Sequence, residues 1–177
     1  HPDVKAYEVK DEKGDHLAVF YADFFPRAGK RNGAWMTAYR GQRKIGNKEN
    51  RPHVSIVCNF TKPTKTKPSL LTFNEVTTLF HEFGHGIHHM LTKMRVAGVS
   101  GINGVPWDAV ELPSQFLENW CWEEDALNFI SGHYETGEPL PADLLERMLA
   151  ARDYQSAMQM VRQLEFSLFD FLLHSEK

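Results

Sequence analysis

The period of the apolar positions changes near residue 70. Up to residue 61 it is close to two. Val4 to Val9 alternates, Asp11 to Asp15 reads as a turn, and His16 to Asp23 resumes as a second strand, a hairpin pattern. Ala34–Tyr39 and His53–Phe60 are further strand candidates, separated by a polar loop from Gly41 to Pro52. The basic loop Gly29–Gly33, with Arg27, Lys30 and Arg31 in and beside it, reads as solvated surface, and Thr61–Ser69, with its prolines and lysines, as a linker. Beyond it the period becomes helical. Val76, Leu79, Phe80, Phe83, Ile87, Met90 and Leu91 recur at three- and four-residue spacing within 75–94, with Thr72 or Asn74 as the N-cap. A glycine-rich loop, Gly98–Gly104, precedes a predicted second helix from Asp108, its natural cap, to Ile130, kinked early by Pro113. Ser131–Pro141 reads as turns, and 142–151 and 154–174 as two more helices. The pattern predicts an α+β fold: a small N-terminal antiparallel β-sheet followed by a helical bundle. Residues 1–177 form one domain, with a β-rich part and linker over 1–69 and a helical part over 70–177.

Composition narrows the class. The 177 residues suffice for one core, and a net charge of −3, with 24% charged residues dispersed along the chain, lacks the basic stripe of a nucleic-acid binder. No apolar run approaches the roughly 18 residues of a membrane span, and no signal peptide stands at the start. Cys58 and Cys121 offer neither a disulfide framework nor a paired-thiol metal motif, so reduced, buried thiols in a cytoplasmic protein are expected. The chain starts at His1, and the apolar run Leu164–Leu173 requires a partner. Both features point to a piece of a larger protein.

The chemistry concentrates in His81-Glu82-Phe83-Gly84-His85. On a helix, positions 81 and 85 stack on one face about 6 Å apart, so two imidazole nitrogens converge on one Zn²⁺ at about 2.0–2.1 Å. Glu82 lies about 100° round the helix, placed to take a proton from a water activated by the metal. Two histidines on a helical surface need mean nothing. Here, however, Gly84 and Gly86 each cost roughly 1 kcal/mol relative to alanine inside a helix, which implies that something approaches this backbone closely.

A catalytic zinc takes three protein ligands and keeps one position open. His88 lies about 10 Å along the axis from His81, too far to share the ion, and His89 points elsewhere. A third histidine six residues after the second, as in one zinc-protease class, would fall at Leu91, which excludes that class. A carboxylate from the second helix remains. Glu111 and Glu118 are seven residues apart, on one face and among apolar neighbours without an adjacent cation. Glu111 is taken as ligand and Glu118 as outer acceptor for a histidine N–H, although residue chemistry alone scarcely separates the two.

His81 to Leu91 resembles the active-site helix of the thimet oligopeptidase family of zinc metallopeptidases, and Ser100 to Phe116 resembles that family's third-ligand segment. The resemblance extends to Gly33–Met36, Cys58–Phe60, Glu118–Glu123 and Ser131–Gly137, in effect along the entire chain. It implies a zincin-like catalytic module holding one zinc ion through His81, His85 and Glu111, with Glu82 as general base. The implied substrates are short unstructured peptides, including signal-peptide fragments, cut internally in the cytoplasm. The family's tyrosine-rich downstream motif, which binds substrate and the developing oxyanion, has no counterpart in this chain, nor has its large N-terminal helical domain. The expectation is therefore the metal-binding half of a catalytic domain, feeble or inactive alone. A metal-binding module without catalysis is the alternative, which the intact Glu82 argues against for the parent enzyme.

An extended peptide needs a strand edge beside the metal helix, and Gly33, Ala34 and Trp35 are the candidates; ordinary core packing is the competing role for Trp35. Gly101 and Gly104 would let the glycine-rich loop close over substrate, the plainer reading being an interhelical connector.

Overall fold

In the computed structural model, which describes residues 1–175, β1 (Lys5–Lys10) and β2 (His16–Asp23) pair antiparallel from Lys5 opposite Ala22 onward. The turn between them is locked by Asp11, whose Oδ1 accepts from the amides of Lys13 and Asp15 at 2.9 Å each. β3 (Trp35–Arg40) pairs antiparallel with β6 (His53–Val57), but β6 runs parallel to β2, with Val19 opposite His53 and Asp23 opposite Val57. The strand order β1-β2-β6-β3 therefore makes the sheet mixed, where the pattern predicts an antiparallel one. The physical reason lies in β6. It is buried from Val54 to Val57 and inserts centrally, and the long excursion through residues 24–52 supplies the crossover that a parallel pair requires.

Part of that excursion is itself ordered. The predicted polar loop contains a two-stranded hairpin, β4 (Arg43–Ile45) and β5 (Lys48–Asn50), turned at Gly46-Asn47 with Gly46 at φ +58°. Strands of three residues, polar apart from Ile45, leave no alternation to detect. The basic loop also departs from its reading as solvated surface. The Lys30 side chain is buried, and its Nζ donates to the Cys58, Phe25 and Asp23 carbonyls and to Asp23 Oδ1. Arg27 forms a fork on the Asp23 carboxylate at 2.6 and 2.8 Å. The Arg27 hydrogen bond, joined by Lys30, holds that carboxyl below its ordinary range despite its burial. These cations tie the end of β2 to the end of β6.

The helix α1 (Phe73–Met90) starts as a capping box: Thr72 accepts from the Glu75 amide, and the Glu75 carboxylate accepts from the Thr72 amide at 2.8 Å. Its apolar stripe lies on one face of the sheet. Met90 packs with Ala18 and Val54, and Leu79 and Phe83 pack over Ile56, Cys58 and Phe60. Ile56 is wholly buried, worth roughly 1.5–3 kcal/mol by leaving water. The β-rich part and α1 thus share one core across the exposed segment at 61–68.

The predicted second helix is broken into three pieces. Turns run from Gly101 to Glu111, α2 spans Leu112–Glu118, a 3₁₀ turn covers Asn119–Trp122, and α3 spans Glu124–Ile130. Asp108 is not the cap, because Pro113 occupies the first turn of α2, where its missing N–H costs nothing, and so sets the start there. The chain divides into two units, His1–Leu127 and Asn128–Lys177. In the second, the turn at His133–Glu138 precedes α4 (Ala142–Ala151) and α5 (Ser156–Ser175), and α5 carries no buried residue.

Candidate metal centre

Glu111 is the residue immediately before α2, and its side chain turns toward α1. Its Oε2 lies 3.2 Å from His81 Nε2 and 3.0 Å from His85 Nε2. Among the described residues these three form the one cluster of potential metal ligands, with all donor atoms within 4.8 Å of one another. Ligands about 2.05 Å from a tetrahedral ion stand about 3.3 Å apart, so the observed separations are those of a possible metal site.

The approach of Glu111 depends on Gly84. A Cβ at Gly84 would overlap the Pro113 carbonyl oxygen and stand 2.6 Å from Ser114 Cα. Gly86 faces the sheet instead, where a Cβ would meet Ile56 Cδ1 at 3.4 Å. The two glycines that looked costly on the helix therefore open it to α2 on one side and to β6 on the other.

Outer contacts hold these candidate ligands in place. His81 Nδ1 donates to Glu118 Oε1 at 2.6 Å, which leaves Nε2 with its lone pair toward the site. The buried Ser114 hydroxyl stands 2.7 Å from Glu111 Oε2 and 2.9 Å from the Glu111 carbonyl. That hydrogen bond, aided by His85 and His81, holds the Glu111 carboxyl below its usual range. Sequence reasoning gave Ser114 no role; its position three residues after a candidate ligand was the available signal. Burial pushes the His85 imidazole down, against the pull of Glu111.

Glu82 lies outside the ligand trio. It is buried, and desolvation together with the charge of Glu111 raises its pKa, while His81 and a hydrogen bond from the Met36 amide act in the opposite direction. Glu82, His81 and Glu118 line a groove of about 450 Å³ together with Ala34, Asn74, Thr77 and Thr78. β3 is an edge strand of the sheet, and Ala34, the residue before it, lines this groove. Gly33, at φ +95°, lines an adjoining depression, and its carbonyl accepts from Asn59 Nδ2 at 2.8 Å. Trp35 is half-buried with the Arg31 guanidinium 4.7 Å from its ring centroid.

The loop glycines have local packing roles that the lid reading did not include. Gly101, at φ +61°, is buried against the His89 imidazole, and Gly104, at φ +76°, lies against the Gly98 carbonyl. Neither lines the groove beside the metal ligands.

Residues 1–177 match the family described as Peptidase family M3. The chain is 60% identical to oligopeptidase A of Escherichia coli over 99% of its own length and 26% of that protein's. It is 47% identical to the organellar oligopeptidase A of Arabidopsis thaliana over 98% of the chain and 23% of that protein, and 39% identical to saccharolysin of Saccharomyces cerevisiae over 100% and 26%. It thus spans about a quarter of the length of these relatives. With the family match running from the first residue to the last, the chain belongs to peptidase family M3, a family of metallopeptidases.

Proposed function

We propose that this chain is the metal-binding part of a zincin-like peptidase catalytic domain. The complete enzyme cuts short unstructured peptides internally, signal-peptide fragments among them, in the cytoplasm. The observation that carries this reading is the convergence of His81 Nε2, His85 Nε2 and Glu111 Oε2 beside a buried Glu82. One zinc ion fits the two imidazoles and the carboxylate, and when bound it supplies Lewis acidity toward a water and the scissile carbonyl.

The chain's own residues supply the rest. Glu82, its carboxyl raised by burial, accepts a proton from the attacking water and returns it to the leaving amine. Glu118 keeps the His81 ring in one tautomer and Ser114 keeps the Glu111 carboxylate ionised. The free edge of β3, near Gly33, Ala34 and Trp35, offers main-chain hydrogen bonds to an extended peptide without reading its sequence. Oxyanion donors beyond this chain are each worth roughly 10²–10³ in rate, so the chain by itself is expected to be a feeble peptidase. Cys58 and Cys121 are buried free thiols, which a reducing compartment such as the cytoplasm favours.

Metal analysis and turnover test this together. About one equivalent of zinc, lost in H81A, is expected for a single catalytic site. E82Q is expected to retain zinc and abolish turnover in the full-length enzyme. Retention of turnover by E82Q would remove the general-base assignment, and absence of zinc from the wild-type protein would remove the metal centre. A metal-binding module without catalysis would show zinc but no turnover even in the intact enzyme.

A further inference from the structure

His89 is the one histidine of α1 that is almost wholly buried, at 2% exposure, and the metal site makes no use of it. It lies one turn beyond His85. Its Nε2 accepts from the Ile102 amide at 3.3 Å, which requires the ring proton on Nδ1. Nδ1 has no hydrogen-bond partner, because the Gly101 backbone lies flat against that side of the ring. A Cβ at Gly101 would overlap Nδ1 and stand 2.5 Å from Cε1.

The segment seated on this ring is stiff. The Asn103 side-chain amide donates to the Ala97 and Ser100 carbonyls at 3.2 and 3.0 Å. Successive turns then run from the Val105 amide to Ile102, from Ala109 to Pro106 and from Leu112 to Ala109, ending one residue past Glu111. The ligand-bearing segment therefore meets α1 at two places: Ile102 on His89 before Glu111, and Pro113–Ser114 on Gly84 after it. Glu111 lies between the two contacts in sequence and must project toward His81 and His85.

We infer that His89 is a positioning residue for the metal site: its Nε2 seats the Ser100–Gly104 loop on the end of α1 and thereby aims the Glu111 carboxylate at the two ligand imidazoles. The inference rests on the zinc reading above and adds a residue that touches neither metal nor substrate. Burial pushes the His89 imidazole down to about 4, so near neutral pH the ring stays uncharged and its acceptor nitrogen is available. Gly101 is explained by the same contact, since only a residue without a side chain fits over the ring.

The test is zinc affinity, measured by competition with a chromophoric chelator, together with hydrogen exchange at the Ile102 amide. H89L removes the acceptor at similar bulk and is expected to weaken zinc binding about tenfold to a hundredfold, as losing an outer partner of a ligand does, and to expose the Ile102 amide. H89Q carries an acceptor close to the position of Nε2 and is expected to restore both. Wild-type affinity in H89L would overturn the inference, and so would failure of H89Q to recover either property while it stays folded. If H89L does not fold, G101A decides by crowding the contact from the loop side with His89 intact: weakened zinc supports the inference and unchanged zinc overturns it. Wild-type protein that binds no zinc, or H81A that loses none, would instead remove the metal reading itself, a result visible before any His89 variant is compared.

Discussion

Gly84 and Pro113 are in backbone contact: no atom larger than hydrogen fits on the Gly84 Cα beneath the Pro113 carbonyl. This contact between α1 and the start of α2 accompanies the approach of Glu111 to within 3.2 Å of the His81 and His85 imidazoles. One residue without a side chain therefore turns a two-histidine helix into a three-donor site.

G84A is expected to force α2 off α1, destabilising the protein by about 1–3 kcal/mol and displacing Glu111 from the metal position. G86A is the control. Its new methyl meets a flexible isoleucine terminus at 3.4 Å, and removing a helical glycine recovers up to about 1 kcal/mol. Urea denaturation of the metal-free proteins, followed by zinc titration, separates the two: G84A should lose stability and zinc affinity, and G86A neither.

Ser114 acts on the charge of Glu111. In S114A the hydroxyl that holds the Glu111 carboxyl below its ordinary range is gone, so that pKa rises. In the proposed metal centre zinc would take the carboxylate in competition with protons. Affinity should therefore begin to fall at a higher pH in S114A than in wild type as the solution is acidified, with the smallest difference near neutrality. Zinc titrations from pH 7 down to about 4, which bracket the ordinary glutamate range, check this, and a constant offset at every pH would assign Ser114 to packing alone.

Much of this arrangement was legible because it repeats at helical spacing. The apolar stripe of α1, its Thr72 cap and the pairing of His81 with His85 all follow from a 3.6-residue period. The glycines also spoke, since their cost implied a close neighbour without saying which. What escaped was set by long-range contacts. The parallel pairing of β6 with β2 depends on which strand takes the central place, and no local pattern encodes that. Lys30 looked like a surface charge because its four oxygen acceptors come from residues scattered between Asp23 and Cys58. The break at Pro113 was visible, but an apolar run continuing to Ile130 obscured its meaning as a helix start. Glu111 and Glu118 both lie against the α1 histidines, Glu111 3.0 Å from His85 and Glu118 2.6 Å from His81, although they do not share a continuous helix.

Arg51 joins the far end of α1 to the sheet. Its Nε donates to the Leu17 carbonyl at 2.6 Å, Nη1 to Gln42 Oε1 at 2.9 Å and the Thr92 carbonyl at 3.2 Å, and Nη2 to the Met90 carbonyl at 3.0 Å. A guanidinium thus satisfies carbonyls at the C-terminal end of the metal helix, where a cation also opposes the helix dipole. R51M should cost about 2–4 kcal/mol, because those acceptors lose a charged donor that water cannot fully replace. R51K should recover only part of this, since an ammonium cannot span the same fork. Urea midpoints of the three proteins at neutral pH measure the effect.

Acid stability should carry a contribution from His89. Its folded pKa, about 4, lies below the ordinary histidine value of 6.5, with burial as the main cause and His88 and His85 adding to it. The unfolded chain therefore binds the extra proton first. Stability from this residue is whole above about pH 6.5, declines as the pH falls toward 4, and levels off below, with a total change of up to about 3 kcal/mol. In metal-free protein, wild type should lose stability more steeply than H89Q across this window, while the other acid-sensitive groups, the Asp23–Arg27–Lys30 cluster among them, contribute alike to both. Parallel stability curves for the two proteins would mean that the ring takes up its proton without leaving its seat beneath Gly101.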